Sequence, residues 1–162
     1  MTRLEMRPAA SVLIPMKPAL SVLSCFAFFC ACALAADVSP AAGQRMGSMV
    51  VHWDKIELKP VKTGARATIF EAPTTTLDKF HCHVSTLNPG ENTGAPHRHP
   101  QEELVVVKTG TLEANINGRI ETAETGSMIF YAANELENMR HPGTVPATYY
   151  VFQFFTPATP KN

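Results

Sequence analysis

From residue 50 onward the chain runs in short stretches of alternating apolar and polar positions, each closed off by residues that turn a backbone. Nine stretches have the period of two expected of half-buried strands, at 50–53, 66–70, 80–87, 104–108, 112–116, 119–123, 128–131, 136–139 and 148–155. No window carries a helical period. Asn117-Gly118 lies between two such stretches, and both residues tolerate the positive φ of a type I′ hairpin turn. Pro89-Gly90, Thr125-Gly126 and Pro142-Gly143 mark further turns. Many short strands at regular spacing predict an all-β domain, either an antiparallel barrel or a double-sheet jelly roll.

Two stretches carry extra information. In the last one Tyr149, Val151, Gln153 and Phe155 alternate with Tyr150, Phe152 and Phe154, which describes a strand buried on both faces with Gln153 able to reach an interior pocket. Near residue 80, His81 and His83 alternate with Phe80, Cys82 and Val84, so one set faces the interior and the other faces out. If the histidines face in, His83 is placed to contact a substrate or to support a metal ligand. Trp53 reads as a packing anchor for the N-terminal strand.

The N-terminus differs in kind. Arg3, Arg7 and Lys17 precede an uncharged stretch, 19–36, rich in Leu, Phe, Cys and Ala, and Ala33 and Ala35 offer a small-residue cleavage site. This is the pattern of a secretory signal covering 1–35, and it implies an exported protein, periplasmic or secreted. An uncleaved leader would be the sole route to a membrane. An Ala, Gly, Ser and Pro mixture over 36–48 reads as a spacer, 49–157 as one folded domain and 158–162 as a tail. Three of the four cysteines, Cys25, Cys30 and Cys32, lie in the leader, which leaves Cys82 without an intramolecular partner and more fitted to the core than to catalysis. From residue 36 onward eleven Lys and Arg face thirteen Asp and Glu, with no basic run, which argues against a nucleic-acid partner.

The densest chemistry is at His97-Arg98-His99-Pro100-Gln101-Glu102-Glu103, with Gly110 after six further residues. Two imidazoles two positions apart share one face of extended backbone, and Glu103 adds a carboxylate at the start of the next apolar run. Such donors suit a divalent ion such as Mn, Fe, Ni or Zn and leave coordination positions open for a small-molecule ligand. Arg98, between the two, points away from them toward the surface or a second subunit.

These residues resemble the first motif of the cupin superfamily, which places a glycine before a His-x-His pair, then a glutamate, then a glycine. Gly90, His97, His99, Glu103 and Gly110 follow that order, with one extra residue between Gly90 and His97. The resemblance implies a single-domain double-stranded β-helix. It also implies a second motif beginning at Gly126, in which Ala132-Ala133-Asn134 stands at the usual turn, Glu137 at the last ligand histidine and His141 at an asparagine.

By this resemblance the metal set is His97, His99, Glu103 and Glu137. His141, about 13 Å further along a strand, is too distant to replace Glu137 without a bulge. A second carboxylate would formally neutralise a divalent ion and tilt the site toward Mn or Fe. Without metal, two crowded carboxylates would leave one protonated near neutrality. Two readings follow: a metal-dependent enzyme with dioxygenase-, isomerase- or hydrolase-type chemistry on a small polar molecule, or a metal-free, non-catalytic module binding a sugar or small acid. The family's habit of pairing barrels through an edge strand adds a homodimer as an expectation.

Overall fold

The computed structural model describes residues 44–161. The expected leader, with Cys25, Cys30 and Cys32, and residues 36–43 of the expected spacer lie outside them. Nine strands follow one another: β1 (Lys59–Val61), β2 (Gly64–Ala72), β3 (Lys79–Leu87), β4 (Glu102–Thr109), β5 (Thr111–Ile116), β6 (Arg119–Glu124), β7 (Met128–Tyr131), β8 (Glu137–Arg140) and β9 (Ala147–Phe155). They form a six-stranded sheet in the order β1-β2-β3-β9-β4-β7 and a three-stranded sheet in the order β6-β5-β8. All pairings are antiparallel, as a jelly roll requires.

Alternation along the strands builds two cores. Between the sheets lie Leu87, Val105, Val107, Leu112, Ala114, Ile129, Tyr131, Met139, Tyr149 and Val151, all buried. The opposite face of the large sheet carries Ile69, Cys82 and Val84, covered by Val51, Ile56 and Leu58 from the N-terminal segment. β9 runs between β3 and β4, so Val151 packs inward while Phe152 packs outward. Cys82 is thus a core residue, and burial pushes its thiol up to about 12.

The predicted strand at 50–53 is not one. Residues 50–52 are extended but join no ladder, and Trp53–Lys55 is a single 3-10 turn. The alternating pattern there reflects a segment lying across a sheet face, where Val51 is covered and Val50 is exposed, without an edge to pair with. Trp53 meets Tyr150 edge-to-face at 6.2 Å on that face. The first true strand, β1, begins at Lys59-Pro60. Pro60, which donates no hydrogen bond, is tolerated because β1 is an edge strand.

Two local features position the site. In β2 the register shifts between Thr68 and Phe70, a β-bulge that lets Arg66 and Thr68 share a face with Ser85 and His83, and Glu71 share it with His81. At the β4–β5 junction Gly110 has φ 86°, and a Cβ there would stand 2.8 Å from both Cα and Cβ of Ala147. Gly110→Ala is therefore expected to destabilise the barrel by roughly 1–3 kcal/mol through left-handed strain and steric displacement of β9. Urea unfolding checks this, and an unchanged midpoint would show that the junction relaxes freely.

Candidate metal centre

His97 and His99 sit on the loop leading into β4. An antiparallel bridge joins His97 to Glu137, with backbone N–H groups donating in both directions at 2.9 Å. Two residues on, the Asn134 N–H donates to the His99 carbonyl at 2.8 Å, and the Arg98 guanidinium donates to the Asn134 carbonyl. Asn134 adopts φ 63°, the left-handed conformation that closes the turn before β8. The two loops are thereby stitched together by backbone, and their ligands meet.

His99 Nε2 lies 3.4 Å from Glu137 Oε1 and 3.6 Å from Glu103 Oε2, and His97 Nε2 lies 3.1 Å from Glu137 Oε1. One donor atom from each of His99, Glu103 and Glu137 falls within 4.8 Å of the others. His97 is outside this group of three and approaches Glu137 from the solvent side, with 52% of its side chain exposed against 5% for Glu137. Glu103 is held in turn by the Gln153 side-chain N–H, which donates to Oε2 at 2.8 Å.

Tautomers follow from the backbone. His99 Nδ1 faces the Gln101 carbonyl at 2.8 Å and His97 Nδ1 faces the Ala95 carbonyl at 3.3 Å. A carbonyl only accepts, so in the neutral rings both protons reside on Nδ1, and both Nε2 atoms are left as acceptors within 3.6 Å of carboxylate oxygens. Lone pair facing lone pair is repulsive unless a cation or a proton lies between. The Glu137 carboxylate raises the His99 pKa above its ordinary value against the opposing effect of burial. Yet His99 Nε2 is not aligned to hydrogen-bond to it, and among the described residues this nitrogen is the single buried side-chain N or O without a partner. Burial, then the charge of Glu137, raises the Glu103 carboxyl, while Gln153 and the two histidines pull the other way.

Residues 83–153 match the Cupin domain family model. The domain has the cupin fold. Among solved structures it is similar to an RmlC-like cupin from Shewanella frigidimarina, at 13% identity over 71% of this chain and 97% of that one with a TM-score of 0.57. The polyketide cyclase RemF from Streptomyces resistomycificus shares 19% identity over 67% and 80% of the two chains, with a TM-score of 0.55. A predicted oxalate decarboxylase from Thermotoga maritima shares 17% over 66% and 99%, also at 0.55. No curated protein matches the chain. At such identities the structural likeness establishes the fold alone.

An orphaned buried Nε2, two imidazoles tautomerically fixed by carbonyls and two carboxylates make this cluster a fitting site for a divalent ion. His141 is elsewhere: fully buried, its Nδ1 faces the Thr111 carbonyl at 2.8 Å and its Nε2 the Val145 carbonyl at 2.6 Å, a structural tie at the opposite end of β8.

Beside the cluster lies a cavity of about 290 Å³ lined by His83, Glu103, Glu137, Met139, Tyr149 and Gln153, among others. The histidine face of β3 is therefore the inner one. The sequence reading missed Arg66, which also lines the cavity. Its Nη2 donates to His83 Nδ1 at 3.0 Å. The one signal that could have found it is its position opposite Ser85 across the β2–β3 ladder.

Proposed function

We propose that this cupin is an exported metal-dependent enzyme that acts on a small polar organic molecule in the cavity beside His97, His99, Glu103 and Glu137. The observation that carries the reading is the buried, unpartnered Nε2 of His99, aimed between two carboxylates. Two carboxylates favour Mn²⁺ or Fe²⁺ over softer ions. The leader pattern at 1–35 supports export.

When bound, the ion supplies Lewis-acid polarisation of a substrate oxygen. The chain's own residues do the rest. Gln153 fixes the orientation of Glu103, and the backbone carbonyls of Ala95 and Gln101 fix the two imidazoles. Glu103, whose carboxyl is raised by burial in the metal-free protein, would give up its proton when the ion binds and then act as an anionic ligand held by Gln153. Val151, Met139 and Leu87 give the cavity an apolar side. The similar cupins carry unlike chemistries, so the reaction class has to come from the site.

Elemental analysis of protein purified without chelator or affinity metal tests the reading. Near-stoichiometric Mn or Fe is expected, together with turnover of small organic substrates, followed by oxygen uptake or product analysis, that a chelator abolishes. A metal-free protein that still binds small acids would place it among non-catalytic modules instead.

A further inference from the structure

Opposite the metal cluster the cavity has a second polar end, and its charge is of the other sign. Arg66 Nη2 lies 3.0 Å from His83 Nδ1 and 3.5 Å from His81 Nε2. A guanidinium can only donate, so His83 Nδ1 accepts and the neutral ring carries its proton on Nε2. Burial, then the charge of Arg66, lowers the His83 pKa to about 3, so the ring stays neutral through the working range. His83 Nε2 has no hydrogen-bond partner among the described residues, yet it is not shut off from solvent, and the residue lines the cavity. It is an available N–H donor.

Arg66 itself is exposed at the cavity mouth and makes no ion pair with a carboxylate among the described residues. Its charge faces the cavity. Across the sheet, His81 pairs with Gln153 on β9 and Gln153 pairs with Glu103 on β4. The histidine strand is thus two strand spacings, roughly 10 Å, from the strand that carries Glu103. Arg66, His83, Glu103 and Glu137 all line the one cavity, so a small molecule held at one polar group can meet the others.

We propose that Arg66 and the Nε2–H of His83 anchor a carboxylate of the substrate, so that this cupin takes a short organic acid whose other oxygen function reaches the metal cluster. The second half of this statement rests on the metal-enzyme reading; the anchor does not. A monoanionic carboxylate matches one guanidinium and one neutral N–H. A phosphate dianion would carry excess charge toward Glu103 and Glu137, and a cavity of about 290 Å³ admits only a small ligand.

Calorimetric titration of succinate, succinamide and inorganic phosphate into the purified protein tests the anchor, with metal content measured on the same samples. Arg66→Gln is expected to weaken succinate binding about tenfold or more while leaving succinamide binding and metal content unchanged. Arg66→Lys should retain part of the affinity, and circular dichroism verifies that both variants fold. The proposal is overturned if the wild-type protein binds no succinate saturably, if Arg66→Gln binds it equally well, or if phosphate binds more tightly with the same dependence on Arg66. Loss of succinate binding in Arg66→Gln with no metal in any sample would leave the anchor standing and remove the metal-enzyme reading. Metal at full occupancy without any effect of Arg66 would do the reverse.

Discussion

Glu137→Ala is expected to lower the affinity for Mn²⁺ or Fe²⁺ by more than about a hundredfold while leaving the barrel folded. The residue is buried, its Oε1 approaches both His97 and His99, and no other carboxylate among the described residues does so. Removing it deletes one donor and half of the negative charge that would offset the ion. The fold should survive because the bridge between residues 97 and 137 uses backbone atoms that the substitution leaves in place. In the metal-free state the change even relieves the opposition of two buried carboxylates. Competition against a chromophoric chelator measures the affinity, and circular dichroism verifies the fold. Glu137→His, which restores an imidazole at this position, is expected to keep its metal. Unchanged metal content in Glu137→Ala would exclude Glu137 from the ligand set.

The second large effect is on pH. His99 and Glu103 both have raised pKa values in the folded, metal-free protein, the first chiefly through Glu137 and the second chiefly through burial. An ion must displace the protons these groups hold, so its affinity should climb as pH rises from the ordinary carboxylate range to above the ordinary imidazole pKa, with a slope approaching two protons at the acid end. Without metal the sign for stability is opposite. A group whose folded pKa is raised stabilises fully below its unfolded value and loses that contribution as pH rises through the folded value. For Glu103 the loss begins above its ordinary carboxylate pKa, and for His99 above the ordinary imidazole pKa. Melting in chelator should therefore weaken from mildly acidic to mildly alkaline pH, whereas melting with excess Mn²⁺ should strengthen over the same interval. Parallel curves with and without metal would show that neither group responds to the ion.

The strand pattern and the hairpin at Asn117-Gly118 were legible because each rests on local chemistry: a period of two, and residues that accept positive φ. The structure gives those residues φ 52° and 89°. The pairing of His99 with Glu103 was legible through the motif that carries both; four residues of extended backbone would hold them about 13 Å apart, and a bend at Pro100-Gln101 brings them together. Nothing local reveals that Glu137 belongs with them. It arrives through a bridge to His97 some forty positions earlier in the chain, and only the resemblance to a known motif pointed there. Residues 50–53 alternate like a strand because a sheet face, like a strand partner, covers every second side chain. Arg66 escaped notice because the bulge in β2 breaks strict alternation, so a regular reading puts Arg66, Thr68, Phe70 and Ala72 on one face when the ladder divides them between two.

The stitched loops also bear on how long the molecule lasts. The single cysteine among the described residues is free and buried, so this part of the chain holds no disulfide. An ion gripped by His99 and Glu137 would join the two ends of the segment containing β4 through β7, closing a large loop with a clasp that can be opened and refastened. Unfolding would then have to wait for the ion to leave. Resistance to proteolysis would rise and fall with the metal supply of the surroundings, and the same four side chains would set both what the protein can do and how long it persists to do it.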